Sequence, residues 1–226
     1  MLFQSFINKL SENLKHALPG VNAQQRMCSD IRPEELMYSP ESTIAKKCGV
    51  MILIFPYLDE LYSVLILRAV GKGVHSAQVA LPGGKYEEND ENITYTALRE
   101  TNEEIGVPAS DIQIIGNLTK LYVPPSNYIL YPIVGYTPDK PHFIPSPDEV
   151  SEIITYKLID LLKKENIKRK EFTVLDKIKF SAPYFDINGY VVWGATAMIL
   201  SEFAEILKNK EIQNCEFGIK TFNNLN

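Results

Sequence analysis

Arg99, Glu100, Glu103 and Glu104 stand together in the run LRETNEEIGV, just ahead of Gly106. Successive residues of a helix advance by about 100°. On that geometry Glu100, Glu103 and Glu104 gather in a single arc, while Thr94, Leu98 and Ile105 project from nearly the opposite side. Like charges three and four residues apart destabilise an isolated helix by about 0.2–0.5 kcal/mol per pair, so the cluster calls for a compensating partner, and a divalent cation is the simplest. Oxygen donors with no His or Cys beside them suit Mg²⁺ or Mn²⁺ rather than zinc. Such an ion binds through one or two carboxylates, waters and substrate phosphate oxygens, so an acidic face beside the glycine turn Pro82-Gly83-Gly84 fits a polyphosphate ester. Arg99 precedes Glu103 by about one turn, where its guanidinium can orient that carboxylate. The competing reading of the same residues is a solvated acidic face closing on a glycine C-cap.

Positioning these groups takes a strand, a glycine turn, a loop and a helix, in that order. The apolar run Gln78 to Leu81 leads into the turn, and Asp90 is expected to cap a helix that starts near Asn92. Upstream, Gly49–Tyr57 and Leu61–Ala69 read as a hairpin. Further strands are expected at Ile112–Leu121, Ile129–Tyr136 and Glu152–Tyr156, with a last hairpin turning at Asn188-Gly189. Ala195–Lys208 carries Met198, Ile199, Phe203, Ile206 and Leu207 as a helical stripe, and Phe3, Phe6, Ile7, Leu10, Leu14 and Leu18 predict a first helix ending near Pro19-Gly20. Val21–Lys47 is polar and aperiodic and reads as a surface connection; KKENIKRK, Lys163 to Lys170, reads as a solvated charge run. These elements make an α+β protein: an N-terminal helix and connection over 1–46, a main domain over 47–210 and a tail over 211–226.

The 226 residues, 45% hydrophobic and 23% charged, suffice for one substantial core. A net charge of -5 argues against nucleic acid as a partner. Cys28, Cys48 and Cys215 are far apart and lack metal-ligand spacing, which points to thiols in a reducing cytoplasm. No apolar stretch approaches the length of about 18 residues that would suggest a membrane span, and Lys9 and Glu12 interrupt the place of a signal-peptide core, so neither export nor a membrane partner is expected.

Gly84, Asp90, Arg99, Glu100, Glu103, Glu104, Gly106 and Val107 together resemble the signature of the Nudix hydrolases. The spacing is longer than the usual one: eight residues, not seven, separate Asp90 from Arg99, and Glu91 restores that gap only by lengthening the first. The preceding segment, LRAVGKGVHSAQVALPGG, resembles the coenzyme A diphosphatase branch through Arg68, Ala69, His75, Gln78 and Pro82 to Gly84. It departs from that branch at Gly73, where an Arg is usual, and at Ala77, where a Gly is usual. Lys72 replaces the lost charge but not the forked guanidinium. Resemblance continues in LYVPPSNYILYPIVGY and VVWGATAMIL, and covers Cys48 to about Lys208.

The resemblance implies an α/β/α sandwich with a mixed sheet, and Mg²⁺- or Mn²⁺-dependent hydrolysis of a diphosphate. The small-molecule substrate it implies is coenzyme A or a derivative, cut to 4'-phosphopantetheine and adenosine 3',5'-bisphosphate, with ADP-ribose or a dinucleotide as alternatives. It also suggests a homodimer. Glu100 and Glu104 are then the first metal ligands, Glu103 a ligand or base, and Arg99 their positioning group. Arg68, Lys72, His75, Gly83 and Gly84, with Pro125 and Ser126 of the Pro-Pro-Ser turn, would meet the substrate. Asp148, Glu149 and Glu152 are candidates for a further downstream carboxylate, and Trp193 reads as a core anchor. A non-catalytic nucleotide sensor is the reading from another class; it would be expected to lack part of the glutamate set or to carry a DNA-binding module.

Overall fold

Strand β1 (Lys46–Tyr57) carries the alternation on which the layers are built. Its Val50, Ile52 and Ile54 belong to one buried cluster and its Met51, Leu53 and Phe55 to another, because neighbouring strand residues point to opposite faces. Around it lie β2 (Glu60–Arg68), antiparallel through a tight turn, β4 (Gly83–Lys85), antiparallel, and β7 (Tyr128–Tyr136), parallel. Strands β3 (Val79–Ala80) and β8 (Val150–Lys157) pair with β2, and β5 (Gln113–Asn117) and β6 (Leu121–Val123) pair with β7. The result is a mixed eight-stranded sheet. This computed structural model describes residues 2–31, 45–69, 78–174 and 178–214.

Helix α3 (Ile93–Ile105) covers the Met51 face, contributing Ala97 and Ile105 to that cluster. The other face is covered by α1 (Leu2–Leu14), through Phe6, Ile7, Leu10 and Leu14, and by α4 (Gly194–Leu207), through Met198, Ile199, Phe203, Ile206 and Leu207. Each such side chain taken fully from water is worth about 1.5–3 kcal/mol, enough to hold a helix on each face. The architecture is the expected α/β/α sandwich with an N-terminal helix. Among the described residues, no helix is long and apolar enough to cross a membrane.

Three segments depart from the sequence reading. At the start of the expected surface connection, Gly20–Gln24 forms a short helix, α2, and Ala23, Gln24 and Met27 are buried. The buried Glu202 of α4 explains this: its carboxylate accepts from Gly20 N–H at 3.1 Å, Gln24 Nε2 at 2.9 Å, Thr119 N–H at 3.2 Å and Thr119 Oγ1 at 2.7 Å. The same carboxylate divides the expected strand Ile112–Leu121, because Thr119 binds it between β5 and β6. Finally, half of the charge run, solvated as expected, is strand. β9 (Ile167–Val174) pairs with β10 (Ile178–Ile187), which turns at Asn188-Gly189 into β11 (Tyr190–Val192), a second sheet of three strands. Trp193, just before α4, stacks on Phe172 of β9 at 4.4 Å between centroids. A last short helix, α5 (Lys210–Gln213), returns Ile212 to the α1 and α4 core.

Candidate metal centre and substrate site

Helix α3 starts where the Asn92 side chain accepts from Tyr95 N–H at 3.0 Å, and ends at Gly106, whose φ of 72° closes the C-terminus. A left-handed cap of this kind favours glycine because it has no Cβ to clash. Asp90, the expected cap, is turned elsewhere. Its Oδ1 accepts from Arg99 Nε at 2.9 Å, and its Oδ2 accepts from Arg99 Nη2 at 3.1 Å, Glu87 N–H at 3.0 Å and Thr96 Oγ1 at 2.8 Å. The bidentate arginine outcompetes a cap that one neutral asparagine already supplies. This Arg99 hydrogen bond, first among the causes, holds the Asp90 carboxyl down at about 2, far below its ordinary 3.8.

The rotation of α3 on the sheet sorts its glutamates. Ala97, Thr101 and Ile105 face inward and are buried, and this turns Glu104 inward with them. Glu103, about 100° further round the helix, is left 53% exposed and paired with Arg99 Nη1 at 2.9 Å. Glu100 sits between, 13% exposed, with Arg99 Nη1 at 3.0 Å. The structure therefore brings Arg99, Glu100 and Glu103 together, but Glu103 does not face the same space as Glu104.

Glu149 is the carboxylate that does. Oxygens of Glu100, Glu104 and Glu149 lie within 4.8 Å of one another. Glu149 arrives by a loop that satisfies the last carbonyls of α3: Ile144 N–H donates to Ile105 O and Ser146 N–H to Glu104 O, both at 2.9 Å. Ala69 N–H then holds Glu149 O at 2.8 Å, tying the loop to the end of β2. Of the three downstream candidates, Asp148 is exposed outside the cluster and Glu152 is engaged with Tyr190. An acidic residue in a loop carries no local signal that separates Glu149 from its neighbours.

The glycine turn forms the other wall. Gly83 N–H donates to Glu104 Oε2 at 2.8 Å, and any Cβ at Gly84 would overlap the Glu100 carboxylate. Close approach, not backbone freedom, is thus what requires glycine at 84. Arg68 Nη1 lies 2.9 Å from Glu104 Oε1. Even with both donors, burial pushes the Glu104 carboxyl from 4.5 up to about 7, and Glu100 and Glu149 add to the rise. Glu100 is also raised, by burial first. Three crowded carboxylates, one buried and one half-buried, with no nitrogen or sulfur in the group, fit a hard divalent cation.

Pro125 and Ser126 stand apart from this constellation, in the 3₁₀ turn joining β6 to β7, where Asn127 O accepts from Lys46 N–H at 3.0 Å. Lys72 and His75, with Gly73 and Ala77, lie outside the described residues.

The comparisons with known proteins agree with this arrangement. The NUDIX domain family model matches residues 48–177. The chain is 34% identical over 180 residues to "Nudix hydrolase 15, mitochondrial" from Arabidopsis thaliana, covering 76% of this chain and 62% of that protein. It is 32% identical over 145 residues to "Mitochondrial coenzyme A diphosphatase NUDT8" from Homo sapiens, covering 64% of this chain and 60% of that protein. It therefore spans about three fifths of the length of these two relatives. In fold it is similar to the crystal structure of a MutT/nudix family protein from Enterococcus faecalis, with a TM-score of 0.51 at 17% identity, over 83% of this chain and 71% of that one. A domain match over more than half of the chain, laid on a glycine turn and an acidic helix that meet face to face, means that this chain belongs to the Nudix domain family.

Proposed function

We propose that this chain is a Mg²⁺- or Mn²⁺-dependent hydrolase of a diphosphate linkage. Its substrate in this reading is coenzyme A or a derivative, cleaved to 4'-phosphopantetheine and adenosine 3',5'-bisphosphate. The observation that carries the reaction is the convergence of Glu100, Glu104 and Glu149 beside the Gly83-Gly84 turn. The named activity of the human relative supports the substrate.

Glu100, Glu104 and Glu149 would hold the ion, which when bound supplies charge neutralisation at the phosphoryl oxygens and a lower pKa for the attacking water. The chain's own groups do the rest. Arg99 holds Glu100 and Glu103 from a guanidinium anchored on Asp90. In this reading Glu103, the most exposed of the three helix glutamates and held by Arg99, would take a proton from water. Arg68, with Lys72 and His75, takes phosphate oxygens, and the turn carrying Pro125 and Ser126 borders the substrate. A homodimer in the cytoplasm belongs to the same reading.

A second substrate reading, another nucleoside diphosphate derivative such as ADP-ribose or a dinucleotide, is favoured by Gly73 and Ala77, where the coenzyme A pattern is broken. The deciding experiment incubates the protein with coenzyme A, acyl derivatives, ADP-ribose and dinucleotides in Mg²⁺ or Mn²⁺ and identifies products by mass. Adenosine 3',5'-bisphosphate from coenzyme A is expected. Cleavage of ADP-ribose alone would favour the second reading, and an inert protein across the panel would refute hydrolysis.

A further inference from the structure

The most buried carboxylate of the cluster already has a cationic neighbour. Arg68 Nη1 meets Glu104 Oε1 at 2.9 Å, while Gly83 N–H meets Oε2 at 2.8 Å. These tethers differ in kind. The Gly83 amide is backbone, and Glu104, 1% exposed on the inward face of α3, is aimed by that amide and by the helix. Arg68 is a long side chain, 35% exposed, at the register shift where β2 leaves its ladder with β8. Removing the guanidinium would leave Glu104 pointing where it points now.

Resting on the metal-dependent reading above, we propose that Arg68 is an internal rival of the metal ion for Glu104 Oε1, one that yields the carboxylate to the ion and turns to the substrate's diphosphate. Two cations sharing one carboxylate repel each other, and a guanidinium fork fits phosphate as well as it fits carboxylate. A diphosphate that draws Arg68 away relieves the repulsion, so ion and diphosphate bind with positive coupling, each strengthening the other. The opposite role, in which Arg68 orients Glu104 for the ion, would make it an aid to metal binding, commonly worth about 10–100-fold. The two roles give effects of opposite sign.

The test titrates Mn²⁺ into the full chain and follows free Mn²⁺ by electron paramagnetic resonance, for wild type, Arg68→Gln, Arg68→Ala and Glu104→Gln, with folding checked by circular dichroism. Both Arg68 variants should bind Mn²⁺ about tenfold more tightly than wild type. Methylenediphosphonate should tighten Mn²⁺ binding more in wild type than in Arg68→Gln. Unchanged or weaker Mn²⁺ binding by folded Arg68→Gln overturns the proposal while leaving the metal site intact. Wild type that binds no Mn²⁺, or binding that Glu104→Gln does not weaken, overturns the metal site itself.

Discussion

Asp90 and Glu104 are both buried and both meet an arginine at 2.9 Å, yet one carboxyl is held at about 2 and the other is raised to about 7. The difference is the supply of donors. Asp90 accepts from two guanidinium nitrogens, a hydroxyl and a backbone amide. Among the described residues, Glu104 accepts from one guanidinium nitrogen and one amide, and shares its space with Glu100 and Glu149. A saturated carboxylate repays its burial and acts as a structural joint between the loop and α3. An undersupplied one, crowded by its own kind, is a standing demand for positive charge. Burial alone would not have told the two apart.

The largest break in this comparison should come from Glu104→Gln, which removes charge from the undersupplied group. Turnover of the diphosphate substrate should fall about 1,000-fold or more, with the far-ultraviolet circular dichroism unchanged. A loss of less than tenfold would mean that Glu104 is no more functional than Asp90. Next is Gly84→Ala, whose Cβ would displace the Glu100 carboxylate; about a 100-fold loss in kcat is expected from that misplacement. Full activity in the alanine variant would show that Glu100 does not need its present position.

The structural joint should answer in stability. Asp90→Asn leaves the Arg99 guanidinium without its main anion and should cost about 2–3 kcal/mol in urea unfolding. An unchanged urea midpoint would remove Asp90 from that role.

Acid should erase this difference. Because the folded pKa of Asp90 lies below its ordinary 3.8, its stabilisation is present above that pH and is lost as pH falls through about 2. The gap between wild type and Asp90→Asn should close across that window. The linked effect at Glu104 has the reverse sign. Glu104 is raised from 4.5 to about 7, so its contribution is present below pH 4.5 and lost as pH rises through 7. In EDTA, Glu104→Gln should therefore gain about 2–3 kcal/mol on wild type between pH 5 and 8. Parallel unfolding midpoints over that range would contradict the assigned environment of Glu104.

Much of the frame was legible along the chain. The hairpin of β1 and β2, the strand β7, the helix α4 and the turn at Asn188-Gly189 follow from alternation, helical period and turn chemistry. β9 was hidden because IKRKEFTV is an edge strand whose charged residues are exposed, so no alternation marks it. The break between β5 and β6 was hidden because its cause, Glu202, lies 83 residues from Thr119. The burial of Gln24 has the same distant cause.

By itself the sequence determined the local chemistry: an acidic helix closed by Gly106, a glycine turn before it, and the spacing that marks a Nudix domain. These depend on residues within a turn or two of one another, where helical period and backbone sterics operate. Only the tertiary structure decided that Glu103 faces outward, that Asp90 serves Arg99 instead of capping the helix, and that Glu149, not Asp148 or Glu152, joins Glu100 and Glu104. Those choices follow from the rotation of α3 on its sheet and from where a distant loop meets the last carbonyls of the helix. Packing between residues far apart in the chain sets both, and no short stretch of sequence records it.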